Sequence, residues 1–336
     1  MTERFHQKGS GMADHQKSSQ EWVQKGNDLA RSQRYEEALP CYDQALQWQP
    51  DDALTWYHKG HSLRSLERYA EALAVYEQAL RFDPNDALLY GDKGFVLDEL
   101  GRYEEALRAY TQALQLEPND ALIWYNKGNS LLHLERYAEA LTLYEQALQL
   151  DPHDARFYGN KGFVLDELGQ HKEALAAYEQ ALVLDPVDIS AVVGKGVALA
   201  ALGQHEEALV SYDHALHLDP TITLIWVNKG NNLFDLKRYE QALAIYERAL
   251  VLDPKDLQIV LSKGRSLYEL GRYKEALSVY DHTLQLTPNE SGFSRNRGAV
   301  LDRMGRFEEA INAYDQALRL NPHDFLACFN KGISLF

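Results

Sequence analysis

Cysteine and long apolar runs are the scarcest features of this 336-residue chain. Its two cysteines, Cys41 and Cys328, are too few for a disulfide framework, and their rarity is typical of a reducing compartment. No stretch approaches the roughly 18–20 consecutive apolar residues that a membrane span requires. No apolar core follows the polar N-terminal residues, so a secretory signal is not predicted. We therefore predict a cytoplasmic protein with no membrane partner.

Positive charge is also in short supply, because 34 Lys and Arg residues face 50 Asp and Glu residues and the net charge is −16. A surface this acidic repels phosphate backbones, so no nucleic acid partner is expected. The chain contains no Gly-x-x-x-x-Gly-Lys-Ser/Thr loop, no His-Glu-x-x-His and no Cys-x-x-Cys. His58 and His61 have the spacing of metal ligands on a helix, but a third ligand is not evident. We expect no enzyme activity, no cofactor and no metal site.

What the sequence has in abundance is internal repetition with a period of 34 residues. A glycine recurs at this spacing from Gly26 to Gly332, and in each full unit an alanine follows it after 12 residues and a proline after 24. With the glycine counted as position 8, the full units, numbered 1 to 9 in chain order, are 19–52, 53–86, 87–120, 121–154, 155–188, 189–222, 223–256, 257–290 and 291–324. Residues 1–18 form a polar leader that we predict to be disordered, and residues 325–336 begin a tenth unit that stops before its second helix.

Apolar spacing predicts two helices in every unit, as with Trp56, Gly60 and Leu63 on one face of the first helix of unit 2. A turn such as Leu-Gly-Arg-Tyr at 100–103 separates the two helices, and its glycine suits a left-handed cap. Asp-Pro-Asn-Asp sequences end the second helix, since proline cannot continue it and Asp or Asn can cap the next one. Pro40 falls inside the second helix of unit 1 and is expected to shorten or bend it. One such hairpin cannot bury its apolar face alone, so stacked hairpins are predicted to form an all-α solenoid.

The unit resembles the tetratricopeptide repeat, with Trp at position 4, Gly at 8, Ala at 20, Tyr at 24, Ala at 27 and Pro at 32. The resemblance covers residues 19–336. It implies an all-α fold in which antiparallel helix pairs form a right-handed α-α superhelix. It also implies that the first helices line a concave groove, which usually binds a peptide or an extended protein segment.

One departure from the family is a cation at position 7, where an apolar residue is common. Every unit carries Lys or Arg there, and position 25 is acidic in eight of the nine full units, with Thr111 as the exception. A cation and an anion that recur together favour ion pairs within or between repeats, with the lysine stems covering apolar surface. We predict this arrangement rather than a basic, anion-binding groove.

The resemblance places positions 2, 5, 6, 9, 12 and 13 on the groove, and asparagine recurs at two of them. The asparagines at positions 6 and 9 that we predict to bind a ligand are Asn27, Asn126, Asn129, Asn160, Asn228, Asn231 and Asn296. An amide both donates and accepts, so a row of amides can hold an extended backbone without reading its side chains. The Asn-Lys-Gly-Asn strings at 126–129 and 228–231 are similar to the asparagine ladder of the O-GlcNAc transferase superhelix. The alternative is that these asparagines are solvated or bonded to the neighbouring repeat.

Acidic and aromatic side chains are expected to add to this groove. The carboxylates expected to face or rim it, and to favour a ligand with Lys or Arg, are Asp92, Asp98, Asp166 and Asp235. Phe95 and Phe163 are expected to supply apolar contacts. The alternative for the carboxylates is a solvated charged face.

These patterns predict a non-catalytic scaffold that binds an extended peptide or protein segment in its groove. The alternative is the substrate-recruiting arm of a larger multidomain enzyme, such as a glycosyltransferase or a signalling protein, with its catalytic domain outside this chain. The incomplete tenth unit favours a fragment of a longer protein. Its uncapped end is also a candidate for self-association with another chain.

Overall fold

The structure is a computed structural model that describes residues 19–335. The leader predicted to be disordered, residues 1–18, lies outside the described residues. The described part of the chain consists of α-helices and short turns and contains no strand. The predicted all-α fold is therefore confirmed for the described residues.

The helices follow the repeat, with a 13-residue first helix and a 14-residue second helix in each of the units 2 to 9. The helices are α1 (residues 19–31), α2 (Tyr35–Trp48), α3 (Ala53–Ser65), α4 (Tyr69–Phe82), α5 (Ala87–Glu99), α6 (Tyr103–Leu116), α7 (Ala121–His133), α8 (Tyr137–Leu150), α9 (Ala155–Glu167), α10 (His171–Leu184), α11 (Ile189–Ala201), α12 (His205–Leu218), α13 (Thr223–Asp235), α14 (Tyr239–Leu252), α15 (Leu257–Glu269), α16 (Tyr273–Leu286), α17 (Ser291–Arg303), α18 (Phe307–Leu320) and α19 (Phe325–Ser334). Odd-numbered helices are the first helices of the repeats, and even-numbered helices are the second.

The helices fall into two compact groups, which divide between Gln170 and His171. The first group contains α1–α9, and the second contains α10–α19. The division lies between the two helices of repeat 5. Within each group, helices that follow one another along the chain pack against each other.

The helix ends follow the predicted cap chemistry. The Asp86 carboxylate accepts a hydrogen bond from the Leu88 N–H at 2.8 Å and from the Leu89 N–H at 3.1 Å, which satisfies two donors at the start of α5. The turn between α5 and α6 contains Gly101 at φ 70°, as the left-handed cap requires. Four repeats place a residue other than glycine in that conformation, and Glu135, at φ 58°, is one of them.

The core of each repeat is built around the tyrosine at position 24. Tyr144 is fully buried, and its ring lies directly against Gly128 at position 8 of the same repeat. A Cβ on Gly128 would lie 2.6 Å from Cε1 of this ring, which is closer than packed carbon atoms approach. The small residue at position 8 is therefore what allows the tyrosine ring to lie between the two helices.

The predicted ion pairs are confirmed, and they join neighbouring repeats. The Lys59 ammonium lies 2.6 Å from the Asp43 carboxylate, which connects position 7 of one repeat to position 25 of the repeat before it. The same connection is made by Lys93–Glu77, Lys161–Glu145, Lys195–Glu179, Lys229–Asp213, Lys263–Glu247, Arg297–Asp281 and Lys331–Asp315. Lys127, which faces the repeat that carries Thr111, forms no ion pair with the described residues.

Pro40 does not shorten its helix, so of the two expected effects, shortening or bending, the first is wrong. Helix α2 runs from Tyr35 to Trp48 and has the same 14 residues as the other second helices. Pro40 removes only the backbone hydrogen bond that its own nitrogen would donate to the Glu36 carbonyl, and its side chain is exposed. The packing of Ala38, Leu39, Tyr42 and their neighbours on the buried face holds the helix together across this gap.

Candidate functional site

Three of the predicted binding asparagines, those at position 9, hold the core tyrosine of their own repeat. The Tyr144 hydroxyl donates to Oδ1 of Asn129 at 2.8 Å. The corresponding bonds are Tyr42 to Asn27 at 3.0 Å and Tyr246 to Asn231 at 2.7 Å. A buried hydroxyl needs a partner, so the amide oxygen at this position stabilises the fold.

A cluster of four side chains joins repeats 4 and 5 within the first group. Asn160, on α9, donates through Nδ2 to Oδ1 of Asn129 at 2.8 Å and to the Tyr125 hydroxyl at 3.1 Å. With the bond from Tyr144, Asn129 therefore accepts two hydrogen bonds. This amide cluster, formed by Asn129, Asn160, Tyr125 and Tyr144, matches the alternative in which an asparagine bonds the neighbouring repeat. Its side chains are still partly exposed, apart from Tyr144.

Two asparagines at position 6 differ from these. Asn126 and Asn228 are half-buried, and their side-chain amides have no hydrogen-bond partner among residues 19–335. Asn126 lies one turn before Asn129 on α7, and Asn228 lies one turn before Asn231 on α13, so each pair shares a helix face. A free amide at this place can donate to one peptide group and accept from the same group or the next.

Asn296 lies in a different setting in the second group. It lines a cavity of about 180 Å³ together with Arg265, Tyr268, Glu269, Tyr280 and Ala299. Nε of Arg295 lies 3.5 Å from its Oδ1, at the limit of a hydrogen bond. This cavity brings an amide, a cation, an anion and an aromatic ring together, which is a combination that can bind a polar side chain.

Asp92 is held inside the fold. It is buried, and its carboxylate pairs with the Arg64 guanidinium at 2.5 Å. The Tyr76 hydroxyl donates to the same carboxylate at 3.4 Å. Burial raises the pKa of Asp92, and the neighbouring Arg64 opposes this rise. Its charge is therefore already matched by a cation of the preceding repeat.

The partners of Asp98 are hydroxyl groups. It accepts from Tyr110 at 2.8 Å and from Ser130 of the next repeat at 2.7 Å, and it forms no ion pair within the described chain. Burial raises the pKa of Asp98. Asp235 is exposed at the end of α13, and Asp166 is half-buried on α9.

Two phenylalanines, Phe95 and Phe234, are paired with arginines that the sequence analysis did not single out. The Arg64 guanidinium lies 5.2 Å from the Phe95 ring centroid, and that of Arg265 lies 4.8 Å from Phe234. In both pairs, an arginine and an aromatic residue stand at positions 9 and 12 of adjacent repeats, and this spacing is visible in the sequence. Phe163, by contrast, is 44% exposed.

The described residues give no metal centre or membrane span. Among residues 19–335, no group of three or more His, Cys, Asp or Glu side chains is arranged to hold a metal ion. Burial lowers the pKa of both His58 and His61. None of the described helices has the length and apolar character needed to cross a bilayer.

The chain belongs to the tetratricopeptide repeat family. One model of this family matches residues 23–87, 93–155 and 227–291, which together make up more than half of the chain. Further models of the same repeat match residues 131–193, 295–324, 75–108 and 189–222.

Solved structures of the family resemble this one. YrrB, described as a tetratricopeptide repeat protein with an unusual peptide-binding site, is 28% identical with a TM-score of 0.50, and the match covers 56% of this chain and 97% of YrrB. A tetratricopeptide repeat protein from Parabacteroides merdae is 16% identical with a TM-score of 0.58, and the match covers 74% of this chain and 99% of that one. The APC/C hetero-tetramer Cut9–Hcn1 is 16% identical with a TM-score of 0.56, over 95% of this chain and 76% of that one. No curated protein matched the chain.

Proposed function

We propose that this tetratricopeptide protein is a non-catalytic interaction scaffold that binds an extended polypeptide segment along its first helices. The observation that carries the proposal is the pair of free amides, Asn126 and Asn228, at equivalent positions of two repeats. Each is followed one turn later by an asparagine whose side-chain oxygen accepts the hydrogen bond of the core tyrosine.

This arrangement supports recognition of a peptide backbone. The core bond fixes the side chains of Asn129 and Asn231, so little rotamer freedom is lost when their NH2 groups bind a ligand carbonyl. The free amide one turn earlier supplies the second donor and an acceptor. Backbone contacts of this kind bind a segment tightly while leaving its side-chain sequence to other residues. The similarity to YrrB, which is described as having a peptide-binding site, also supports the proposal.

The choice of segment depends on the carboxylates of the same face. Asp98 and Asp235 form no ion pair with the described residues, so a Lys or Arg of the ligand finds an anion there. Asp92 does not contribute, because Arg64 already neutralises it. We therefore propose a ligand with basic side chains, bound in the reducing interior of a cell, where the thiols of Cys41 and Cys328 remain free.

The test is a selection of ligands from displayed random 16-residue peptides on the immobilised full chain. Fluorescence anisotropy then gives Kd for the selected peptides with the single variants Asn126→Ala and Asn228→Ala. The matched controls are Asn119→Ala and Asn312→Ala, which remove exposed amides elsewhere in the same two groups. If a peptide binds one of the free amides, the variant that lacks this amide should bind the peptide about tenfold more weakly, which corresponds to roughly 1.4 kcal/mol. The control variants should bind it as tightly as the wild type.

A second arm separates backbone recognition from side-chain recognition. Methylating single backbone nitrogens of the peptide should weaken binding at least as much as replacing its side chains by alanine. Adding salt should weaken binding further, since the basic side chains are screened from Asp98 and Asp235. If the selection yields no peptide, or the asparagine variants bind as tightly as the wild type, the proposal is wrong.

A further inference from the structure

A cavity of about 770 Å³ lies between α6, α7 and α8 in the first group. Its polar and charged lining consists of Glu104, Arg108, Thr111, Gln112, Lys127, Arg136, Glu139 and Thr142. Helix α7 lines the cavity at positions 7 and 11 of repeat 4. Helix α6 lines it at positions 18, 21, 22, 25 and 26 of repeat 3. None of the asparagines discussed above contributes to it.

The same place in repeats 1 and 2 provides an internal comparison. A cavity of about 480 Å³ there is lined by Pro40, Asp43, Lys59, Arg68 and Glu71, among others. In that cavity the acid at position 25, Asp43, lies 2.6 Å from the Lys59 ammonium. The larger cavity has Thr111 in place of this acid, and at position 22 it has Arg108 where the smaller one has proline.

Lys127 consequently lacks the acidic partner that position 25 of the preceding repeat provides elsewhere, because Thr111 stands there. Every other cation at position 7 from repeat 2 onward pairs with an acid of the preceding repeat, whereas Lys127 forms no ion pair with the described residues. The Thr111 hydroxyl donates to the Leu107 carbonyl at 2.6 Å, so its hydrogen is directed to its own helix. The Trp124 ring lies beside Lys127, with its centroid 5.9 Å from Nζ. Burial lowers the pKa of Lys127, as expected for an ammonium group that has lost water without gaining a carboxylate.

Arg108 is a second cation on the cavity wall whose charge is only partly balanced by an acid. Arg136 is well paired, with Glu139 at 2.7 Å and Glu104 at 3.5 Å. Arg108, in contrast, has its nearest acid, Glu105, 4.0 Å away, and Glu105 is already bound by Arg102 at 2.7 Å. Arg108 and Lys127 therefore line one cavity with two positive charges that the fold leaves available.

We propose that this cavity is a binding site for a carboxylate group, which takes the place beside Lys127 that Asp43 takes beside Lys59. Lys127 and Arg108 supply the charge, and the amide of Gln112 supplies a neutral donor. A carboxylate fits because the fold itself places one beside the corresponding cation in eight other repeats. The ligand is either an acidic side chain of a partner polypeptide or a small dicarboxylate.

The experiment is a titration of the deuterated, ¹⁵N-labelled full chain, followed by NMR. The probes are glutarate, an acetylated and amidated Gly-Ser-Glu-Ser-Gly peptide, the uncharged glutaramide and inorganic phosphate. Glutarate or the glutamate peptide should produce saturable shifts of the Thr111, Gln112 and Lys127 amide signals, and glutaramide should not. Stronger binding of the peptide identifies a polypeptide ligand, and stronger binding of glutarate identifies a small dicarboxylate.

Two variants make the test specific to this cavity. Thr111→Glu restores the carboxylate found in the other repeats, so it should fold normally and abolish the saturable shifts, whereas the neutral Thr111→Gln should retain them. Transplanting the cavity with the double change Pro40→Arg and Asp43→Thr should create a new saturable response at Lys59. Shifts that persist in Thr111→Glu, a transplant without a response at Lys59, or equal binding of phosphate or glutaramide would each overturn the proposal.

Discussion

The hydroxyl of the buried Tyr144 donates a 2.8 Å hydrogen bond to the side-chain oxygen of Asn129, fifteen residues earlier on the neighbouring helix. Other repeats satisfy the same tyrosine differently. Tyr110 uses Asp98 at position 12, and Tyr76 uses Asp92 of the next repeat. The tyrosine is thus constant while its acceptor changes, and the acceptor determines which polar side chains of the first helices are already bonded within the fold.

The first prediction concerns this bond. Asn129→Ala leaves the buried Tyr144 hydroxyl without its acceptor and removes a partner of Asn160, so the free energy of unfolding should fall by about 1–3 kcal/mol. Asn126→Ala, one turn earlier, removes an amide that bonds nothing in the described chain and should change stability by less than about 0.5 kcal/mol. Urea unfolding and hydrogen exchange of the amides in α7 and α8 measure the difference. Equal effects of the two substitutions would contradict the assignment.

The second prediction concerns the glycine that faces the same ring. In Gly128→Ala the added Cβ would lie 2.6 Å from Cε1 of Tyr144, and because the ring is fully buried it has little room to move. We expect a loss of about 1–3 kcal/mol. The control is Gly292→Ala in α17, where a Cβ meets nothing within 4 Å and helix propensity favours alanine by up to about 1 kcal/mol. Thermal unfolding should therefore show opposite signs for the two alanines.

The third prediction concerns the turns between the two helices of a repeat. Glu135 has φ 58°, in the left-handed region that glycine adopts without a steric cost. Glu135→Gly should raise the free energy of unfolding by roughly 0.5–1 kcal/mol, after allowance for the entropy of glycine in the unfolded chain. The reverse change, Gly101→Glu at φ 70°, should lower it by a similar amount. A loss of stability in Glu135→Gly would show that the glutamate side chain contributes more than its backbone strain costs.

Much of the fold was predictable from the sequence, because the same residue types recur at the same positions of every repeat and indicate the same packing each time. Glycine at 8 and tyrosine at 24 specify a close helix contact, and proline at 32 ends the second helix. The cation at 7 and the acid at 25 indicated the ion pairs between repeats, of which Lys59–Asp43 is an example. A single repeat would have left each of these signals ambiguous.

The candidate site was harder to predict, because its residues stand at the boundary between core and surface. Position 9 was expected to face a ligand, but the Tyr144 hydroxyl also needs an acceptor there, and Asn129 provides it. Asp92 was expected to attract a basic ligand, yet Arg64, 28 residues earlier, already pairs with it. Spacing along one helix does not show which side chain of the next helix reaches the same point.

The fourth prediction is a pair of pH effects with opposite signs. Burial raises the pKa of Asp98, so the folded protein holds a proton there that the unfolded chain releases near its ordinary value of about 4. Asp98 therefore reduces stability progressively as the pH rises from that value to its folded pKa. Asp98→Asn, which keeps an oxygen for Tyr110, should be more stable than the wild type at pH 7, and its advantage should disappear at pH 3.

Asp154 provides the control for this effect. Hydrogen bonds from Arg156 hold the pKa of Asp154 below its usual range, so its ionised form stabilises the fold at all pH values above the unfolded pKa. Asp154→Asn should therefore lose stability at pH 7, and the loss should vanish as the pH falls through the folded pKa. Because Asn caps a helix about as well as Asp does, the difference in stability between Asp154→Asn and the wild type measures the contribution of the Asp154 charge. Urea midpoints of the two variants and the wild type between pH 3 and pH 7 test both signs. Parallel curves for Asp98→Asn and the wild type would show that the Asp98 carboxylate ionises as freely inside the fold as in the unfolded chain.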